Sequence, residues 1–395
     1  MTVVTRQANP PMSLITTVAE FDAVAAEWSE LLNQASTPVS WQHEPAVIRQ
    51  LLGTGGRSPA FVVLRRDGEI VGVAPFYIQT IDLPIRFSVL RVKSFRVRAL
   101  QLLGEGIIWR SGADATPLFD DLYAAIRAHR AAFDLISIPS QRLEDPHWHY
   151  LQSGGARRLG FQVIRASARI ELLHRLDFVG TFEAYQAAAR AKPGFPGKSL
   201  RRYWRDMKDR SVLTRISRPE QVPGFLDDVD RVYRASWQGR TYGGPPRNSA
   251  AEVQRLETMA ALGYLRSYTL VEDQRAIAFI LGYQYRNQYF YEETSFDSDR
   301  SAVSPGSILT FGAIEDLFRA ETPARLSFGF GDAAYKRTFG NASEEACSLY
   351  LVLPGRWRWI LRAQRSLNAM YNLAHAAVTR VGLDRRLRKL LKRQR

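Results

Sequence analysis

The sequence predicts an α/β protein of two similar units in tandem, followed by a basic helical extension. Three observations lead there. The chain has 395 residues, enough for two cores of ordinary size. An order of hairpin, third strand, loop, helix and further strand occurs twice along it. Most of the net charge of +15 is confined to two segments, so the rest of the chain is close to neutral. In the second occurrence, strand patterns flank Glu272-Asp273-Gln274-Arg275, and a strand rich in Tyr and Glu follows at 288–295. A loop ending in Ser304-Pro305-Gly306-Ser307 then opens a helix, and a strand pattern stands at 325–330. In the first, strands at 61–66 and 69–79 flank Asp67-Gly68, a strong hairpin signal between apolar runs. A strand at 99–104, a helix at 115–130 and a strand at 133–138 complete it. Helical patterns precede the hairpins at 18–32 in the first half and at 224–237 and 250–262 in the second. The expected division is a flexible N-terminus over 1–13, a degenerate unit over 14–175, a second unit over 176–354 and a basic helical tail over 355–395.

Apolar content of 46% and charged content of 24% are those of a soluble globular chain. Cys347 is the single cysteine, which excludes an intramolecular disulfide and a cysteine-built metal site and agrees with a reducing cytoplasm. The first residues lack the apolar core of a secretory signal, and no run of about 18 apolar residues occurs, so a cytoplasmic chain without a spanning helix is expected. Residues 356–395 carry a net of +11 and residues 190–210 a net of +6. Basicity this localised does not point to nucleic acid as a partner. In the tail, Ile360, Ala363, Leu367, Met370, Ala374, Val378 and Val381 recur at helical steps before Gly382. Leu383, Leu387, Leu390 and Leu391 continue a stripe among Arg and Lys. Such a basic amphipathic end suits an anionic membrane, which would place the protein peripherally at the inner face. Complementation of a helix dipole is the other reading.

The Ser304-Pro305-Gly306-Ser307 turn has the chemistry of an anion site. Exposed first-turn amides and the macrodipole favour a diphosphate, Ser304 suits the N-cap, Pro305 the first helical position, and Gly306 permits close approach. The matching position in the first half, Gly112-Ala113-Asp114-Ala115, has an aspartate that repels such a ligand. On 288–295, a period of two puts Tyr289, Tyr291, Glu293 and Ser295 on one face and Phe290, Glu292 and Thr294 on the other. A carboxylate among tyrosines in a cleft is suited to general base work, and alternation alone leaves Glu292 and Glu293 both open. Asp332 and Lys336, four apart just past a strand end, fit either a cap with a local ion pair or ligand contact. Lys198, Arg201, Arg202, Arg205 and Lys208 line one side of an amphipathic pattern, either solvated or binding anions. No P-loop is present, because Gly194 and Gly197 are too close together. Trp237 precedes Gly243-Gly244-Pro245-Pro246, so it fits either the wall of a lidded pocket or plain core. His147 and His149 flank Trp148 without a third ligand nearby, and no metal is expected.

Several of these segments resemble the GNAT acyltransferase superfamily, in its cellulose-biosynthesis CelD-like branch. The resemblance rests on Thr294-Ser295-Phe296-Asp297, on Ser304-Pro305-Gly306, on Gly331-Asp332 with Tyr335-Lys336, on Lys198-Ser199-Leu200-Arg201-Arg202 and on Ser236-Trp237. It spans roughly the C-terminal half. Two departures are a Ser-Pro-Gly turn in place of a glycine-rich one, and Phe339 where Trp is more usual. The resemblance implies two tandem GNAT-like domains, mixed sheets flanked by helices. It also implies transfer of an acyl group, acetyl foremost, from acyl-CoA to an amine or hydroxyl of a polysaccharide or cell-envelope precursor. Under it Ser304, Pro305, Gly306 and Ser307 hold the cosubstrate, and Glu293 or Asp332 is the base. Tyr291 or Tyr335 is then the acid, while Lys336, Trp237, Arg202 and Lys198 contact substrate. Related domains occur among peptidoglycan aminoacyltransferases, so charged tRNA is an alternative donor. A binding module without catalysis is a second alternative.

Overall fold

The computed structural model describes residues 12–53, 58–87, 90–166, 170–207 and 210–380. The strands in chain order are β1 (Met12–Ile15), β2 (Ser58–Arg66), β3 (Glu69–Phe87), β4 (Leu90–Leu102), β5 (Ile108–Trp109), β6 (Leu135–Arg142) and β7 (Gln162–Arg165). They continue as β8 (Glu171–Asp177), β9 (Ser211–Ile216), β10 (Ser267–Glu272), β11 (Arg275–Tyr285), β12 (Gln288–Phe296), β13 (Arg325–Ser327) and β14 (Ala342–Val352). All belong to one mixed sheet, in the order β1-β2-β3-β4-β6-β14-β8-β13-β12-β11-β10-β9, with β5 beside β3 and β7 beside β14.

The duplication read from the sequence is present in the topology. Each half has an antiparallel hairpin (β2–β3, β10–β11), a third antiparallel strand (β4, β12), a helix (Ala115–Ala128, Pro305–Arg319) and a strand returning parallel to the third. Both hairpin turns have two successive positive-φ residues, Asp67-Gly68 and Asp273-Gln274, the backbone that matches strand twist. Helices cover both faces, as the near-continuous apolar runs of the central strands require. In the second half Leu309 and Ile314 of the helix Pro305–Arg319 pack with Tyr268, Ile280 and Tyr289. On the opposite face Phe225 and Leu256, from the helices Val222–Ala235 and Ala250–Ala261, meet Phe279, Leu281 and Phe290. Trp41 and Val47 of the first half belong to that same cluster, so the halves share apolar core.

Several boundaries differ from the sequence reading. Residues 12 and 13, assigned to a flexible terminus, pair in β1 with Leu64 and Val63. The 18–32 helix is broken into Val18–Asp22 and Ala25–Asn33. The basic 198–210 pattern is an α-helix only over Gly197–Arg202 and then widens to a π-turn over Tyr203–Met207. The unit boundary at 175/176 falls inside β8. The strand β14 comes from the second half yet pairs with β6 and β7 of the first as well as with β8. The helix Arg356–Arg380 docks on the β3–β4 hairpin through Trp357 and Leu361. Gly382 and the leucine stripe of 383–395 lie outside the described residues. Among the described residues no helix is long and apolar enough to cross a membrane.

Candidate active site

β12 and β13 run parallel for three residues only, from Gln288 opposite Arg325 to Phe290 opposite Ser327, and then part. The split leaves a cavity of about 350 Å³, lined by Tyr291 and Glu292 from β12, by Gly329 and Phe330 beyond β13, and by Trp41, Glu105 and Arg142 from the first half. Past Ser327 the chain leaves the ladder, and its main-chain groups bond elsewhere: the Phe328 amide to the His174 carbonyl and the Gly329 amide to Ser327 Oγ.

A β-bulge decides what enters that space. On β11 Leu281 pairs with Glu293 and Gly282 with Tyr291, so Glu292 is the extra residue. Strict alternation across 288–295 therefore fails, and the expected common face of Tyr291, Glu293 and Ser295 does not exist. Tyr289 and Tyr291 stay on the side of the helix Pro305–Arg319, where the Tyr291 hydroxyl lies 3.0 Å from Thr310 Oγ1. Glu293 and Ser295 turn to the other side. There the Glu293 carboxylate accepts from Arg247 Nη1 at 2.9 Å, and Ser295 Oγ donates to Gln238 Oε1 at 3.1 Å. Glu292 is solvent-accessible and, among the described residues, makes no hydrogen bond or salt bridge. Burial on its protein side still raises its pKa above the usual carboxylate value. Arg255 opposes the rise, and Glu293, Glu105 and Glu252 add to it. Burial also raises Glu293, but Arg247 opposes it and holds the carboxylate.

Asp332 is differently placed. Its carboxylate accepts from His174 Nε2 at 2.8 Å and from Arg337, and the His174 bond, with Arg337, holds its pKa below the ordinary range. It does not cap the helix Ala334–Phe339, whose N-cap is Ala333. Lys336 is buried. Its Nζ donates to the Phe330 carbonyl at 3.0 Å and the Gly329 carbonyl at 3.3 Å, fastening the loop that forms one wall of the cavity. The Tyr291 and Tyr335 rings lie 6.0 Å apart, and burial pushes Tyr291 up to about 12 and raises Tyr335 as well, so both stay protonated near neutrality.

The helix Pro305–Arg319 begins as expected in position and differently in detail. Ser304 is left-handed, with φ 56°, and its hydroxyl accepts from Ser199 at 3.0 Å in place of capping. Its carbonyl takes the Ser307 and Ile308 amides, and Pro305 occupies the first turn. A Cβ on Gly306 would come within 3.1 Å of the Phe296 ring, so this approach suits glycine. In the first half the corresponding helix end is occupied by its own acid, since Asp114 Oδ1 accepts from the Thr116 amide at 3.0 Å. At the other end of the helix Pro305–Arg319, buried Arg266 donates to the Asp316 and Ala320 carbonyls and to Asp316 Oδ2, which satisfies and anchors the helix C-terminus.

The remaining candidates are dispersed. Lys198 lines a separate cavity of about 410 Å³ with Arg190 and Arg201. Its neighbour Ser199 brings that helix to Ser304. Arg202 is exposed and 3.8 Å from Asp206. Trp237 is 62% exposed and edge-on to Tyr242, outside the cleft cavity. His147 is buried between the Tyr123 hydroxyl and Gln141 Oε1, each at 2.7 Å, and burial pushes its pKa down to about 3. The sequence reading passed over Trp41, Glu105 and Arg142, which reach the cleft only through tertiary packing. It held Glu292 open without preferring it. The one available signal was Gly282, an isolated glycine in a strand pattern beside the bulge, where a Cβ would collide with the Tyr289 hydroxyl.

Residues 197–337 match the family described as acetyltransferase (GNAT) domain. In fold the chain is similar to a tandem GNAT protein from the clavulanic acid biosynthesis pathway, with a TM-score of 0.53 and 13% identity over 87% of this chain and 99% of that one. It is also similar to FemX, at 0.58 and 11% over 87% and 97%. A third likeness is to the C-terminal domain of a putative lysylphosphatidylglycerol synthetase from Agrobacterium fabrum, at 0.50 and 13% over 87% and 95%. No curated protein matches the chain in sequence. The fold is the expected pair of GNAT-like units, and the match of residues 197–337 to the GNAT acetyltransferase domain falls within the second.

Proposed function

We propose that the chain transfers an acyl group, acetyl foremost, from a coenzyme A thioester to an amine or hydroxyl of a polysaccharide or cell-envelope precursor, in the cleft between β12 and β13. The observation that carries this reading is Glu292, a carboxylate of raised pKa without a hydrogen bond or salt bridge among the described residues, set by a bulge into the wall of that cleft. The acceptor nitrogen or oxygen attacks the thioester carbonyl while Glu292 takes its proton. Negative charge develops on the carbonyl oxygen, and collapse of the tetrahedral intermediate expels the thiolate. Tyr335, kept neutral by burial, is the candidate acid for that thiolate. The Gly306 amide and the macrodipole at this helix start hold the diphosphate, since the Ser307 amide is taken by the Ser304 carbonyl, and the Lys198–Ser199 helix stands beside them. Glu105 and Arg142, joined at 2.5 Å, give the first half a part in shaping the acceptor side.

Purified protein should show a raised melting temperature with acetyl-CoA, and thiol release when amine-bearing envelope precursors are added. If only charged tRNA supported transfer, the donor would be an aminoacyl ester. If no donor bound the intact fold, the reading would fail in favour of a binding module. Gly306→Asp is expected to abolish coenzyme A binding in titration calorimetry, and Ala113→Asp in the first half to leave it unchanged. Equal losses from the two substitutions would contradict the placement of the donor.

A further inference from the structure

The helix Arg356–Arg380 has two apolar faces, and the fold uses one. Trp357 and Leu361 are buried on the β3–β4 hairpin, where Trp357 meets the Phe95 ring edge-on with centroids 5.7 Å apart. Trp359, Ala363, Leu367 and Met370 recur at steps of four, four and three on the opposite side, and Trp359, Leu367 and Met370 are 68%, 49% and 66% exposed. Arg356, Arg358, Arg362 and Arg365 interleave with them, and no acid occurs between Arg356 and Met370. None of the four forms a salt bridge among the described residues, whereas many other arginines of the molecule do. The Arg362 guanidinium instead lies 5.9 Å from the Trp359 ring. Directly beyond this helix the chain continues with seven further cations and the single acid Asp384 among residues 381–395.

We propose that this exposed face, led by Trp359, Leu367 and Met370, is a docking surface for an anionic lipid bilayer. A second copy of the chain would set segments of +11 against each other. A bilayer with acidic headgroups accepts both parts of the surface at once. The indole and thioether enter the interfacial region while the arginines stay among the phosphates. Aliphatic side chains gain little on a nucleic acid, which leaves lipid as the fitting partner. The inference does not depend on the acyl-transfer chemistry, since the face lies on a different element from the β12–β13 cleft.

The test is flotation of the full chain with phosphatidylcholine vesicles, with and without phosphatidylglycerol. Binding is expected only with the anionic lipid, and the double variant Trp359→Glu, Met370→Glu is expected to lower it by about tenfold or more. Both positions are exposed, so an unchanged melting curve and unchanged coenzyme A binding should accompany the loss. Removal of 381–395 should weaken binding and keep its dependence on Trp359. The proposal is overturned if the double variant floats as well as the parent, or if binding ignores phosphatidylglycerol. It is equally overturned if Trp359 and Met370 prove to be needed for self-association in sedimentation velocity, or for capture of tRNA, in place of vesicle binding.

Discussion

Glu292→Gln is expected to lower kcat by about 10²–10⁴-fold with little change in KM, the scale of a lost general base. The substitution keeps size and hydrogen-bonding capacity but removes the one carboxylate that, among the described residues, lines the cleft cavity without a salt bridge. The parent should lose activity as pH falls through the raised pKa of Glu292, because protonation disables the base. That acidic limb should therefore lie above the usual carboxylate range and vanish in the Gln variant. Glu293→Gln and Asp332→Asn should retain most of kcat, since their carboxylates are held by Arg247 and by His174 with Arg337. Steady-state profiles from pH 5 to 9 distinguish the three. A Glu292→Gln enzyme of near-parental kcat, or a collapse confined to Asp332→Asn, would move the base elsewhere.

Arg266→Ala is expected to destabilise the fold by about 3–5 kcal/mol, the range for removing one partner of a buried charged network. Arg266 is 2% exposed and donates to the Tyr268 hydroxyl at 2.8 Å, to Gln284 Oε1 at 2.5 Å and to Asp316 Oδ2 at 2.8 Å. It also satisfies the carbonyls that end the helix Pro305–Arg319. Truncation leaves the Asp316 carboxylate with the Tyr268 hydroxyl and the more distant Arg215 alone, and takes the guanidinium donor from those carbonyls. Lysine should rescue little, because a single ammonium cannot reproduce the planar fork. Urea unfolding monitored by circular dichroism measures the cost, and a loss below about 1 kcal/mol would show that the network contributes little.

The fold was largely legible because it is written in local signals. The two turns Asp67-Gly68 and Asp273-Gln274, the helix-opening Ser304-Pro305 and the periodicity of each half need only neighbouring residues to be read. At the candidate site the sequence did not carry the orientation of the β12 side chains. An alternation rule assumes an unbroken register, and one extra residue at Glu292 reverses every assignment beyond it, so Glu293 and Ser295 were placed on the wrong face. Lys336 and Asp332 stand where the family resemblance puts functional residues, yet which bonds they make depends on Gly329, Phe330, His174 and Arg337. The His174 contact joins positions far apart in the chain. Trp41, Glu105 and Arg142 had no signal at all, since nothing in a linear reading brings the first half to the second half's strand ends.

β14 also sets the order in which the molecule can be completed. Arg142 finds its partner in Ala346 and Glu171 finds the same residue from the other side. Synthesis proceeds from the N-terminus, so both strand edges wait until Ala342–Val352 has left the ribosome. A nascent chain stopped before residue 342 would be two half-sheets with open flanks, each able to recruit a foreign strand. Closure through such distant pairing is slow, and refolding should be limited by insertion of this last strand.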